Sequence, residues 1–154
     1  MQNKILKRGC ILFFLLAVVF MVSFTSSLFI TPDRLNWYKS LPISSLTPPD
    51  IVFSAVWTVL YLLMAISAFL VWEKVSPRYF VLQLIANGLW PFLFFYLHNP
   101  KAALVDIIVM IIFVFLTIKT FYKVSKPAGL LFIPLVLWSF FALYLNGHIV
   151  YYLN

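Results

Sequence analysis

Charge is scarce in this chain. Only 10% of its 154 residues are charged, and 4 Asp or Glu face 11 Lys or Arg. A soluble domain carries about a quarter charged residues, so a water-facing surface of ordinary composition is excluded. Glycine is also sparse, at 4 residues, and no glycine-rich loop is present to cradle a nucleotide phosphate. The single cysteine, Cys10, excludes an intrachain disulfide and a cysteine metal cluster, and reads as a small apolar residue. His98 and His148 have no acidic or cysteine companions near them in sequence, so no metal site is expected. A nucleophile elbow, a zinc pattern and a carboxylate pair for acid–base work are all missing. The usual enzyme constellations are therefore excluded.

What remains is apolar. Hydrophobic residues make up 64% of the chain and aromatic residues 19%. A soluble fold of this size has too little interior to hide so much apolar surface. Lipid is the solvent that removes the problem. A spanning helix needs about 20 apolar residues, and five such runs are present, at about 9–30, 49–72, 79–97, 102–121 and 128–153. The expectation is an all-α integral membrane bundle of five transmembrane helices, a single domain over 1–154. The basic N-terminus and the Ser26-Ser27 pair around the first run resemble a signal peptide. That apolar run exceeds a signal core of about 7–15 residues, which favours a retained helix.

Breakers mark the connectors: Pro32 and Pro42, Ser76-Pro77, Asn99-Pro100 and Lys126-Pro127. Thr47, Pro48, Pro49 and Asp50 read as a helix start, with Thr47 as the capping hydroxyl. Pro91 predicts a kink in the third span. The one long connector, 31–48, is of a length that often serves as a lid.

The basic residues sit at the span ends, which argues against nucleic acid and in favour of lipid headgroups. Lys4, Lys7, Arg8, Lys74, Arg78, Lys119, Lys123 and Lys126 fall on one side, 8 of the 11; Arg34, Lys39 and Lys101 fall on the other. The bias predicts a cytoplasmic N-terminus, with the C-terminus and loop 1 extracytoplasmic.

Residues inside the spans fall into stripes. Phe53, Trp57, Tyr61 and Met64 share one face of span 2. Gln83, Asn87, Trp90 and Phe94 do so in span 3, and Pro134, Trp138, Ala142 and Asn146 in span 5, with Phe141 and Leu145 beside them. Trp57 lies roughly 12 Å and Trp90 roughly 10 Å below the outer span ends at 1.5 Å per residue. Trp37, Tyr38, Trp72, Tyr151 and Tyr152 fit an interfacial belt. Trp57, Trp90 and Trp138 lie too deep for it, which leaves two readings, packing or the wall of an aromatic small-molecule pocket. Asn87 has the same two readings, a helix–helix hydrogen bond or a ligand contact. Asp106 is the one acid well inside a span, a functional candidate by position that its nearness to the helix start also explains.

These residues resemble the translocator protein family, also called tryptophan-rich sensory proteins or peripheral-type benzodiazepine receptors, in a bacterial form. The resemblance runs from Trp37-Tyr38 through Pro48-Pro49, Trp57, Tyr61, Asn87, Trp90-Pro91 and Asp106 to Trp138, Phe141-Ala142 and Leu145-Asn146. It departs at Ala102, where the family often has tryptophan, at Ala65, and after Tyr151-Tyr152, where no basic residue completes a cholesterol-type pattern. The resemblance implies a homodimer of five-helix bundles in the cell membrane. It also implies binding of protoporphyrin IX or haem and of isoquinoline carboxamide ligands, and light- and oxygen-dependent porphyrin breakdown. Transport or stress sensing without degradation is the alternative it carries. Ligand-binding residues are then expected at Trp37, Tyr38, Trp57, Tyr61, Asn87, Trp90, Trp138, Ala142, Leu145 and Asn146, with loop 1 as lid. Trp57 and Trp138 are expected as the indoles that take part in porphyrin chemistry. The porphyrin is ligand or substrate, and no further cofactor is required; His148 as an axial haem ligand is left open.

Overall fold

The computed structural model describes residues 2–153. Among them the chain forms helices and no strand: α1 (Gln2–Ser27), α2 (Pro32–Lys39), α3 (Asp50–Leu70), α4 (Arg78–Pro91), α5 (Pro100–Val124), α6 (Lys126–Leu130) and α7 (Ile133–Tyr152). A π-helical turn, Phe92–Tyr96, extends α4. Five stretches are long and apolar enough to cross a membrane: Asn3–Ser27, Asp50–Leu70, Arg78–Tyr96, Pro100–Val124 and Lys126–Tyr152. The protein is a multi-pass membrane protein.

Helix ends follow local chemistry. Asn99 caps α5 by accepting from the Ala102 N–H at 3.0 Å, and Pro100 takes the first turn, where its missing N–H costs nothing. Ser125 caps α6 in the same way, accepting from Ala128 N–H at 3.4 Å. The expected Thr47 cap is corrected: the residue before α3 is Pro49 and no side chain caps that end. Two prolines separate Thr47 from the first helical turn, so its hydroxyl stands too far upstream. The descents from α3 and from the π-turn pass through Glu73 and His98, at φ 63° and 49°. Both adopt the left-handed conformation that commonly ends a helix.

Three features of the spans depart from a plain reading of hydrophobic runs. Helix α1 begins well before its apolar stretch and takes in the basic residues Lys4, Lys7 and Arg8. Loop 1 contains a helix of its own, α2, with Pro32 in the first turn, Asp33 near the positive end and Lys39 near the negative end. The last span is divided at residues 131–132 into α6 and α7, with Pro134 in the first turn of the second piece.

Around the bundle, α1 packs on α3 and α4, α4 on α5, and α5 on α7. Helix α3 meets the last span through α6, where the Ser67 hydroxyl donates to the Ala128 carbonyl at 2.6 Å. The core is drawn from every span and includes Val19, Met64, Gln83, Val114 and Leu135, all essentially without exposure. The outward surface is also apolar: Phe13, Ile51 and Leu137 are each more than 60% exposed. In water this would be a large unpartnered patch; in a bilayer it is the lipid-facing side.

Candidate functional site

Proline sets the geometry of the loop 1 half. Pro91 has no N–H to continue the α-helical ladder. The chain responds by widening into the π-turn, where the Leu97 N–H donates to the Phe92 carbonyl at 2.9 Å. A π-turn thus stands directly after Pro91, where the kink was expected. Such π-turns favour functional sites. This one redirects Phe94 and Phe95 into a buried cluster with Ala103 and Ile149.

Trp90, at the end of α4, stacks on Phe94 at 4.9 Å and 22°. Its indole N–H donates to Asn146 Oδ1 at 3.0 Å, and Asn146 Nδ2 donates to the Pro100 carbonyl at 2.8 Å. One amide therefore ties α4, α5 and α7 together. A second buried link joins α3 to α4: the Tyr61 hydroxyl donates to Asn87 Oδ1. Asn87 Nδ2 then reaches only the Met110 sulfur at 3.6 Å, and Gln83 Nε2 the Met64 sulfur at 3.4 Å. Sulfur is a weak acceptor.

On α7 the fully buried stripe is Leu135, Ser139, Leu145, Asn146 and Ile149. Trp138 and Ala142 are half-buried and pack against the core, as do Trp57 and Trp90. None of these three indoles is turned wholly to lipid. Trp138 meets Phe53 of α3 edge-on at 5.2 Å and Phe141 at 5.4 Å. Its indole nitrogen is buried and has no hydrogen-bond partner. Trp57 lies one turn from Tyr61, with ring centres 5.7 Å apart. Pro134, expected in the stripe, is exposed, because it shares the outward face with Ile133 and Leu137 while Phe132 and Leu135 on either side turn into the core.

The lid residues close over the π-turn. Trp37 meets Phe94 at 5.7 Å and the His98 ring at 4.2 Å, and Tyr38 meets Phe94 and Phe95, each at 5.9 Å. Ser44 reaches across to the Tyr144 hydroxyl at 3.3 Å, which pins the far end of loop 1 to α7. Burial raises the Tyr38 phenol above its ordinary value, with Thr47 working against the shift and Asp50 adding to it. Tyr38 is accordingly a neutral ring at physiological pH. Of the three cations on this side, Arg34 is already engaged: it donates to the Phe29 carbonyl at 3.1 Å and lies 4.6 Å over the Tyr96 ring. Lys39 and Lys101 are exposed.

Three groups of expected site residues emerge. Trp37, Tyr38, Trp90 and Asn146 are joined through Phe94; Trp57, Tyr61 and Asn87 form a second group; Trp138 sits with Phe53 and Phe141. Ala142 and Leu145 follow Trp138 along α7, half-buried and buried. Phe94 is the residue most underrated by pattern reading, since it links lid and bundle. Its signal was its place three residues after a mid-span proline. Asp106 is buried, with one carboxyl oxygen lacking a partner. His148 lies between the rings of Tyr144 and Tyr152, at 6.2 and 4.7 Å.

Comparison with known proteins gives a consistent match. Residues 13–152 match the TspO/MBR family. The chain is 40% identical over 134 residues to tryptophan-rich protein TspO of Chlorobaculum tepidum, covering 81% of this chain and 84% of that one. It is likewise 40% identical over 143 residues to tryptophan-rich protein TspO of Archaeoglobus fulgidus, covering 88% and 92%. The translocator protein of Homo sapiens is 32% identical over 132 residues, with 80% and 78% covered.

Proposed function

The chain belongs to the TspO/MBR family, and we propose that it is a membrane tetrapyrrole-binding protein that holds protoporphyrin IX or haem and promotes light- and oxygen-dependent porphyrin breakdown. The observation that carries this reading is the buried, unpartnered indole N–H of Trp138, set in an aromatic wall with Phe53 and Phe141. Buried donors are nearly always satisfied. A flat aromatic ligand with acceptor atoms at its edge supplies both a stacking surface and the missing partner. Isoquinoline carboxamides, also flat and bearing a carbonyl, fit the same description.

In this reading Trp57, Tyr61, Asn87, Trp90, Ala142 and Leu145 complete the walls, Asn146 positions Trp90, and Trp37 and Tyr38 cover the entrance. Lys39 and Lys101 are the free cations available to propionates. Porphyrin is the substrate and the light absorber, and oxygen is the co-reactant. The protein would supply placement, with Trp57 and Trp138 as the indoles that donate an electron to the excited porphyrin. No general base is needed. The same reading takes the protein as a homodimer in the cell membrane, with the lysine and arginine bias supporting a cytoplasmic N-terminus and loop 1 outside.

The test is loss of porphyrin absorbance under illumination, with saturable quenching of tryptophan fluorescence as the binding readout. Trp57→Phe combined with Trp138→Phe is expected to slow breakdown severalfold while leaving the fold intact. Unchanged breakdown in that variant removes the indoles from the chemistry. Porphyrin flux into vesicles in the dark, without product, would replace degradation by transport.

A further inference from the structure

The opposite end of the bundle carries two adjoining hollows that the tetrapyrrole reading does not use. One is an apolar groove of about 350 Å³ between α1, the end of α3, the start of α4 and the end of α5, with walls that include Phe14, Val18, Trp72, Phe80, Leu84 and Phe121. The other is a shallow, open hollow of about 330 Å³ whose lining residues include Lys74, Ser76, Arg78, Tyr79, Thr120 and Lys123. Val75 forms part of both walls, so the two hollows adjoin at that residue.

The charge on this end is lopsided. Of the four acids in the chain, Asp33, Asp50 and Asp106 belong to loop 1 or to helix starts on its side, which leaves Glu73 alone here. Glu73 is occupied by Lys7 at 3.3 Å, the one ion pair among the described residues. Lys74, Arg78 and Lys123 therefore line one hollow whose own walls hold no carboxylate, while Glu73, paired with Lys7, lines the adjoining groove. Arg78 is held in place by its own neighbour: it donates to the Tyr79 hydroxyl at 2.7 Å and lies 4.4 Å over that ring. An ordinary basic fringe of scattered lysines would attract anionic headgroups weakly and without stoichiometry. A three-cation hollow joined to a groove lined with aromatic and aliphatic side chains fits one molecule with both characters.

We propose that this is a binding site for a single anionic phospholipid, its phosphate among Lys74, Arg78 and Lys123 and one acyl chain lying along the groove beside Trp72. Charge complementarity selects the headgroup, and continuity with the bilayer supplies the chain. The site is independent of the tetrapyrrole reading and can fail without it.

The test uses the full chain in detergent micelles, with native mass spectrometry after addition of phosphatidylglycerol, phosphatidylcholine or inorganic phosphate alone. One retained phosphatidylglycerol is expected, preferred about tenfold over phosphatidylcholine, with phosphate alone not retained. The exposed triple variant Lys74→Gln, Arg78→Gln, Lys123→Gln should abolish the preference; if it does not fold, each single substitution should cost it about twofold or more. Val81→Trp, at the exposed rim of the groove, should reduce retention of both lipids. Brominated phosphatidylglycerol should quench wild-type fluorescence more than that of Trp72→Phe. Equal retention of the two lipids, a preference that survives loss of the cations, or quenching unaltered by Trp72→Phe would each overturn the site. So would retention of phosphate alone, since it would leave the groove without a role.

Discussion

Trp90 and Trp138 carry the same indole, are both half-buried and pack against the same core, yet they stand in opposite hydrogen-bonding states. Trp90 has a partner in Asn146, which in turn is anchored on the Pro100 carbonyl. Trp138 has aromatic neighbours on both sides and nothing for its N–H. Tryptophan at a deep position is thus two different devices. One is a joint that fixes α4 against α7. The other is a buried donor left without a partner among the described residues. The difference rests on what lies opposite: an amide across from Trp90, and rings beside Trp138.

The largest effect expected from breaking this contrast is on the joint itself. Asn146→Leu removes two interhelical hydrogen bonds and leaves the Trp90 N–H without its partner. Bonds of this kind in membrane bundles contribute about 0.6–2 kcal/mol each, so a loss of about 1–3 kcal/mol is expected in unfolding from detergent micelles. No loss in Asn146→Leu would show that Trp90 is no more tied down than Trp138.

Next comes the open donor. Trp138→Phe should leave the stability of the unliganded protein nearly unchanged once lost ring volume is allowed for, because no hydrogen bond is broken. Porphyrin affinity, read from fluorescence quenching, should fall about tenfold, which corresponds to one hydrogen bond of about 1.4 kcal/mol. Trp90→Phe is the matched control. It removes the same ring atoms but costs about 1 kcal/mol of stability through the bond to Asn146, with a smaller change in porphyrin affinity. Identical behaviour of the two variants would abolish the distinction.

The five-helix plan was legible because twenty-residue apolar runs have few alternatives, and the family was legible because its residues recur at fixed spacing along most of the chain. What pattern reading could not reach is pairing across helices. The stripe containing Trp90 and the one containing Asn146 were both visible, but a helical period says nothing of which side chains meet. Short elements were hidden for another reason. Helix α2 lies in a polar connector with no apolar periodicity, and the break between α6 and α7 lies inside an unbroken apolar run. Thr47 was misread because a hydroxyl before two prolines resembles a cap, whereas the prolines delay the first helical turn to Asp50. The π-turn was foreshadowed by Pro91, although a missing N–H alone does not distinguish a kink from a wider helix.

Gln83 offers the finest test of the contrast, because it too has an unpartnered atom. Its Oε1 is buried without a donor, and its Nε2 has only the Met64 sulfur at 3.4 Å. If every unmatched buried group marked a ligand contact, Gln83→Met would weaken porphyrin binding as Trp138→Phe does. Yet Gln83 has no exposure at all and sits one turn before Asn87 on α4, nearer the N-terminal end of the bundle. Methionine nearly matches its length and volume and removes both the orphaned oxygen and the weak N–H contact. Replacing a poorly satisfied polar group by an apolar one of similar shape is close to neutral or mildly stabilising. Gln83→Met is therefore expected to shift stability by no more than about 0.5 kcal/mol, in either direction, and to leave porphyrin quenching unchanged. A fall in porphyrin affinity there would extend the ligand past the Tyr61–Asn87 pair. An unmatched group would then indicate contact wherever it occurs, not only where aromatic faces surround it.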